Sequence, residues 1–452
     1  MRLSTLPTLT RHGIYCRCPS RPYYSDIRRL STAFRQSYGV PVGGSGDITV
    51  NVVESASAST HGHSNVIIHL PPGPLFKSEE SDSIPDAQGE DMAKPEDLHM
   101  QARTAKIPRS MAKTTQATIV TINYRLGRHH QRPGHSYQYP IPVHDTLAGF
   151  DWVLQNLRPA RLGIIGGHIG GSLALMLALT EPQSVNAVAA LEPVCDWPGL
   201  DEYCKQKAET DSQATLKGRK PARTRCAPWD LVPLLKARNT LFSTPERYFD
   251  AFASPILFLR SPGKDVPSSF PKYMMGEEHP IPVLKQLPDK EIGYWDVHEH
   301  PDEGYETGVE SLTHSTSEVG SDAKGHIVHR RKALSRWPPY GIDNGTQSVS
   351  SGHYHRGMKR PQVELPWVRL FVRTEPGSVV SPRRMQTRKP PSVLASQANE
   401  MVDVMRRACF WNHEMGVSER RVTIDHITPT EWDGTQVQRA REWVGKMLKS
   451  VD

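Results

Sequence analysis

Apolar positions along the chain recur with a period that switches between two and about 3.6. Residues 47–54 (DITVNVVE) alternate as a half-exposed strand, and 65–69 (NVIIH) are a short apolar run of strand length. Residues 117–123 (ATIVTIN) are β-branched in the manner of a buried strand. Over 143–157 the pattern becomes helical, with Val143, Leu147, Phe150, Val153, Leu154 and Leu157 on one face. A strand at 161–165, a helix of Leu, Ala and Met at 170–180 and a strand at 185–191 follow. Such alternation predicts a mostly parallel central sheet with helices on both faces.

Beyond Asp196 the pattern loosens. Helical pieces at 227–237 and 245–252 precede a short apolar strand or packing segment at 254–259. Residues 262–362 are dominated by Pro, Gly, Ser, His and charge, without a repeat. Too little apolar area is available there to offset chain entropy, which predicts a flexible insertion. Order resumes with a strand at 365–373 and an amphipathic helix at 396–410 that aligns Ala398, Met401, Val402 and Met405. A strand at 421–425 and a closing helix at 435–448 complete the pattern. The polar stretch 77–113 reads as an exposed loop. The expected organisation is a leader (1–46), a first core part (47–197), a cap (198–261), the flexible insertion (262–362) and a second core part (363–452).

Composition narrows this picture. Hydrophobic residues make up 37% of the 452, with 38 Pro and 33 Gly, below the usual share of about 45–50%. One core filling the whole length is therefore excluded, and a core of about 250–300 residues with loosely folded inserts fits better. Six Cys exclude a disulfide scaffold. The net charge of +7 is modest. The basic run at 217–225 lacks the interleaved aromatics of a nucleic-acid surface, so no nucleic-acid partner is expected. The leader carries seven Arg, no Lys and one acid, Asp26. Arg-rich and acid-poor composition predicts mitochondrial targeting, the alternative being a disordered basic tail on a cytoplasmic protein. The apolar stretch 162–179 is nearly long enough to span a bilayer but holds five Gly, His168 and Ser172. A strand, a turn and a helix explain it better, so no membrane span is expected.

The chemistry concentrates at residues 165–174, I-G-G-H-I-G-G-S-L-A, between a strand and a helix. Small residues there allow the sharp turn of a nucleophile elbow. The block resembles the elbow of the α/β-hydrolase superfamily, in particular the hormone-sensitive-lipase-like (fold-3) esterases, which read G-[DE]-S-A-G-G-N-L-A. Gly166, Gly167, Ile169, Gly170, Gly171, Leu173 and Ala174 fall in that frame, with His168 in the nucleophile slot and Ser172 where the family has Asn. Residues 121–126 (TINYRL) resemble its x-x-x-Y-R-L strand, and 139–145 (YPIPVHD) resemble its F-P-x-x-x-x-D segment. The resemblance covers about 250 residues in pieces and implies an α/β-hydrolase fold with a cap and a long flexible insertion.

Two departures bear on activity. An esterase of this kind needs a Ser whose hydroxyl attacks the acyl carbon with a His as base; His168 stands in that place. It also needs N–H donors for the oxyanion, which the family takes from an H-G-G-G loop. The matching stretch is His69-Leu70-Pro71-Pro72-Gly73, and proline has no N–H to give. The resemblance places the acid at Glu375 or Asp265 and the base at His426, as relics. It places a binding surface at His69, Gly73, Gly167 and Ile169. A displaced nucleophile at Ser172 is disfavoured, since it lies one turn inside the helix.

No cofactor is expected, because the G-x-G-x-x-G spacing of a dinucleotide loop is absent. No metal is expected either. The H-x-H pairs at His61/His63, His298/His300 and His353/His355, and the Cys16/Cys18 pair, lack companion ligands. The expectation is a catalytically impaired pseudo-hydrolase that binds a small acyl or apolar ligand. The alternatives are an active carboxylic-ester hydrolase using unusual groups, or a mitochondrial interaction protein working through its insertion. The sequence names no protein partner.

Overall fold

The computed structural model describes residues 35–54, 64–76, 108, 110–112, 114–128, 136–206, 226–260, 262, 266–276, 278–285, 365–373, 391–410 and 413–449. Eight strands form the main sheet: β1 (Arg35–Pro41), β2 (Asp47–Val53), β3 (Val66–Leu70), β4 (Thr118–Asn123), β5 (Leu162–Gly167), β6 (Ala187–Leu191), β7 (Trp367–Arg373) and β8 (Val422–Ile427). Their spatial order is β1-β2-β4-β3-β5-β6-β7-β8. Strand β2 runs antiparallel to both its neighbours, and the pairs from β4 through β8 are parallel. Strands β3 and β6 are buried along their whole length, which is why they read as unbroken apolar runs.

Five helices matter for the site: α1 (Ile141–Leu157), α2 (His168–Thr180), α3 (Leu231–Leu241), α4 (Val393–Cys409) and α5 (Pro429–Met447). Two apolar clusters occupy the two faces of the sheet, drawing on alternate residues of the same strands. The larger includes side chains of α1, α2, α3 and α4, and the smaller includes Ala440 and Val444 of α5 with Ile67, Ile165 and Phe371. Helix α2 is buried at every residue from 169 to 179. Gly170 and Gly171 each weaken a helix by about 1 kcal/mol. Burying Ile169, Leu173, Leu175, Met176, Leu177 and Leu179 at about 1.5–3 kcal/mol each outweighs that. The membrane-length apolar stretch is therefore a strand followed by a central helix. Among the described residues no helix is long and apolar enough to cross a membrane.

Several boundaries differ from those the pattern predicts. Strand β1 lies inside the segment assigned to the basic leader; it pairs with β2 from Arg35↔Val53 to Pro41↔Asp47. Of the two expectations at 254–259, a strand or a packing segment, the chain takes the second, a buried 3₁₀ turn at Pro255–Phe258. The start of the expected flexible insertion is ordered: Lys272–Gly276 and His279–Lys285 form a hairpin that pairs with Lys205–Gln206. Within the cap, the fully buried Arg238 donates to the Trp197 carbonyl and to Asp201 (3.1 and 2.9 Å). Residues 1–34, 55–63, 77–107, 207–225 and 286–364 lie outside the described residues, and with them most of the leader, the basic run and the H-x-H pairs.

Candidate functional site

Strand β5 ends at Gly167 and α2 begins at the next residue, so the chain turns within a single peptide unit. His168 sits at that turn with φ +44°. A non-glycine residue in the left-handed region costs about 1–2 kcal/mol, and close packing around the turn holds it there. A Cβ on Gly166 would be driven into the Gly170 carbonyl, and one on Gly170 would lie 2.5 Å from the Leu70 oxygen. Both positions require glycine, which explains the paired Gly of the motif.

The His168 ring is half-buried, with Nδ1 3.3 Å from the Glu192 carbonyl oxygen. A carbonyl can only accept, so Nδ1 carries the proton and Nε2 keeps its lone pair. Burial pushes the imidazole pKa down to about 4, the Glu192 bond opposes the shift, and the charge of Arg373 adds to it. The ring is therefore neutral at pH 7. Phe76 meets it edge-on at 5.0 Å between centroids. Phe76 in turn lies against Trp229 (5.8 Å), and the Arg373 guanidinium sits 5.6 Å from the centre of the Trp229 ring. Arg373 ends β7, and its Nε is 3.9 Å from the buried Glu192 carboxylate.

On the other side of the elbow lies the turn after β3. Pro71 and Pro72 offer no N–H. Ile169, the residue after the nucleophile slot, donates its own N–H to the Pro72 carbonyl at 3.3 Å. In active members of this architecture that N–H faces the oxyanion. The Tyr124 hydroxyl donates to the Pro71 carbonyl at 2.5 Å and so holds the proline turn in place. Burial raises the Tyr124 pKa well above its usual value, keeping it a neutral donor. Arg125 follows, and its backbone N–H and guanidinium give Asp145 three hydrogen bonds of 2.7–2.9 Å. Asp145 is fully buried on α1, so the Y-R-L and P-x-x-x-x-D segments are the two halves of one ion pair.

A family model described as alpha/beta hydrolase fold matches residues 97–241. Over these residues the chain is similar to that family, and the sheet order with its elbow is the α/β-hydrolase fold. The match takes in β4, α1, the elbow and α3, where the three hormone-sensitive-lipase-like motifs lie. Among solved structures, carboxyl esterase 2 of the mycorrhizal fungus Tuber melanosporum is 11% identical, with 96% of this chain and 93% of that one covered and a TM-score of 0.43. An esterase/lipase from an uncultured bacterium is 12% identical, with 96% and 95% covered and a TM-score of 0.41. A bacterial heroin esterase is 18% identical, with 50% and 62% covered and a TM-score of 0.32. Likenesses this remote bear on neither activity nor ligand. The sequence matches no curated protein.

The fold brings some of the expected site residues together and separates others. Gly167, His168, Ile169 and Gly73 meet at the elbow; Gly73, at φ +75°, faces Ile169 and the Tyr124 hydroxyl. His69 does not belong to the loop. It is the fourth residue of β3, buried, with Nδ1 3.4 Å from Thr121 Oγ1. Burial, and then the charge of Arg441, push its pKa down to about 4. His426 does not follow the last strand but lies within it, opposite Val372. Three strand spacings separate β8 from β5, about 14 Å. Only Thr428 stands between β8 and α5, too short a connection to carry His426 back to the elbow. Ser172 is also engaged: its hydroxyl lies 2.6 Å from the Val194 carbonyl and is buried. Glu375 and Asp265 lie outside the described residues.

The sequence reading missed Phe76, Glu192, Trp229 and Arg373. Arg373 was visible as the last residue of an apolar strand, but no spacing relates it to Trp229. Among the described residues no three His, Cys, Asp or Glu side chains are grouped so as to hold a metal ion.

Proposed function

We propose that this protein is a catalytically impaired member of the esterase-like α/β-hydrolases, which retains the scaffold and binds a small acyl or apolar ligand above His168 without cleaving it. One observation carries this reading: the Ile169 N–H is bonded to the Pro72 carbonyl beside an elbow that presents an imidazole. Nucleophile and oxyanion donor are thus changed at two independent places. Removal of one donor already costs about 10²–10³ in rate.

An active hydrolase using His168 as base for a water is the second reading, favoured by the lone pair on Nε2. A conjugate acid with a pKa of about 4 makes that nitrogen a poor base at neutral pH, which argues against it. The test is steady-state hydrolysis of 4-nitrophenyl acetate and butyrate by the purified full chain beside His168→Ala. Equal rates for the two proteins are expected. Turnover by the wild type that His168→Ala abolishes would overturn the proposal.

A further inference from the structure

The geometry points to a ligand of definite chemistry at the elbow: a flat aromatic ring bearing an O–H donor, a phenol. This inference rests on the reading of the elbow as a binding place and names what binds there. His168 supplies the polar half. With its Nδ1 proton committed to the Glu192 carbonyl, Nε2 is an acceptor only, and it has no hydrogen-bond partner among the described residues. A hydroxyl-bearing nucleophile would be donor and acceptor at once, whereas this group asks specifically for a donor.

The apolar half is the wall formed by Phe76 and Trp229. Trp229 is 46% exposed, one of only four large apolar side chains that are exposed among the described residues. Its neighbour in the chain, Asp230, is fully buried and accepts the N–H groups of Val393 and Leu394 at 2.9 and 3.0 Å. The indole is thus adjacent to a fixed anchor and is backed by the Arg373 guanidinium. An aromatic ring laid against an aromatic face gains from offset or edge-on geometry, and aliphatic chains lack that term. The Arg373 charge has Glu192 as a counterion within 3.9 Å, so the ligand need not bring an anion.

The experiment is calorimetric titration of the full-length protein with p-cresol and with 4-methylanisole, which has the same ring and no donor. The expected result is binding of p-cresol about tenfold tighter than of 4-methylanisole, the worth of one hydrogen bond to an otherwise unpaired acceptor. In His168→Phe, which keeps a ring and removes the acceptor, the two affinities should become equal; in Trp229→Ala both should fall. Equal affinities in the wild type, or no binding of either compound, would overturn the inference without any variant having to fold. A preference for p-cresol that survives His168→Phe would overturn it as well. Absence of p-cresol binding together with absence of ester turnover sinks only this inference. Turnover of 4-nitrophenyl esters lost in His168→Ala sinks the reading beneath it.

Discussion

Replacing His168 with Ser places the family's nucleophile at the elbow, and the surroundings determine how little this should restore. The backbone there already has the left-handed turn at φ +44°, so Ser would present its hydroxyl from an elbow of the required shape. Three other parts would still be wanting. The Ile169 N–H remains bonded to Pro72, and the proline turn contributes no N–H, so two oxyanion donors are missing at about 10²–10³ each. The only His expected as base, His426, stays within β8, three strand spacings from β5, and general-base help is worth about 10²–10⁴. Two donors alone amount to about 10⁴–10⁶, so H168S should be indistinguishable from wild type in initial-rate assays with 4-nitrophenyl acetate. Adding Pro72→Gly supplies one N–H and should raise the rate by no more than about 10²–10³. Hydrolysis by H168S alone at a hundredfold or more above wild type would refute the reasoning, because it would mean that donors and a base already face the elbow.

Two further predictions concern stability. His69 is held neutral in the fold with its pKa lowered from 6.5 to about 4, so the unfolded chain takes up the proton first as the pH falls. Stability should be full above about pH 6.5 and decline toward pH 4, by on the order of 3 kcal/mol from this residue. Urea midpoints measured across that range should fall, and His69→Gln should flatten the profile; a profile unchanged in His69→Gln would contradict the assignment. Asp145→Asn leaves the Arg125 guanidinium without its buried carboxylate, and a cost of about 3 kcal/mol is expected, the low end for a broken buried pair because Arg125 retains some solvent contact. Urea unfolding with an unchanged slope and a loss below about 1 kcal/mol would show that the pair does not hold β4 to α1.

The elbow was legible in the sequence because steric demand there is absolute: Gly166 and Gly170 cannot be larger, and an I-G-G-H-I-G-G run between a strand and an all-apolar helix has few other shapes. Central strands announced themselves by continuous apolar runs. Strand β1 did not, because RQSYGVP lies at the sheet edge and, among its residues of described burial, only Val40 is buried. The mistaken placing of His426 was avoidable. Thr428-Pro429 is a cap residue followed by proline in the first turn, a start signal that moves α5 forward and leaves no loop after β8. No local pattern announces that the Pro72 carbonyl reaches the Ile169 N–H, or that Phe76, Trp229 and Arg373 converge. Those contacts join segments that are distant in the chain, and only the sheet order brings them together.

The clamp on Asp230 has a mechanical consequence. Its carboxylate is gripped by two amides of a core helix, so the residue beside the indole is tied to the rigid floor of the molecule. The backbone that carries the indole is thereby anchored, and only rotation about the side chain's own bonds is left to it. Any change in the position of the Trp229 backbone must therefore be accompanied by movement at the start of the helix that begins at Val393.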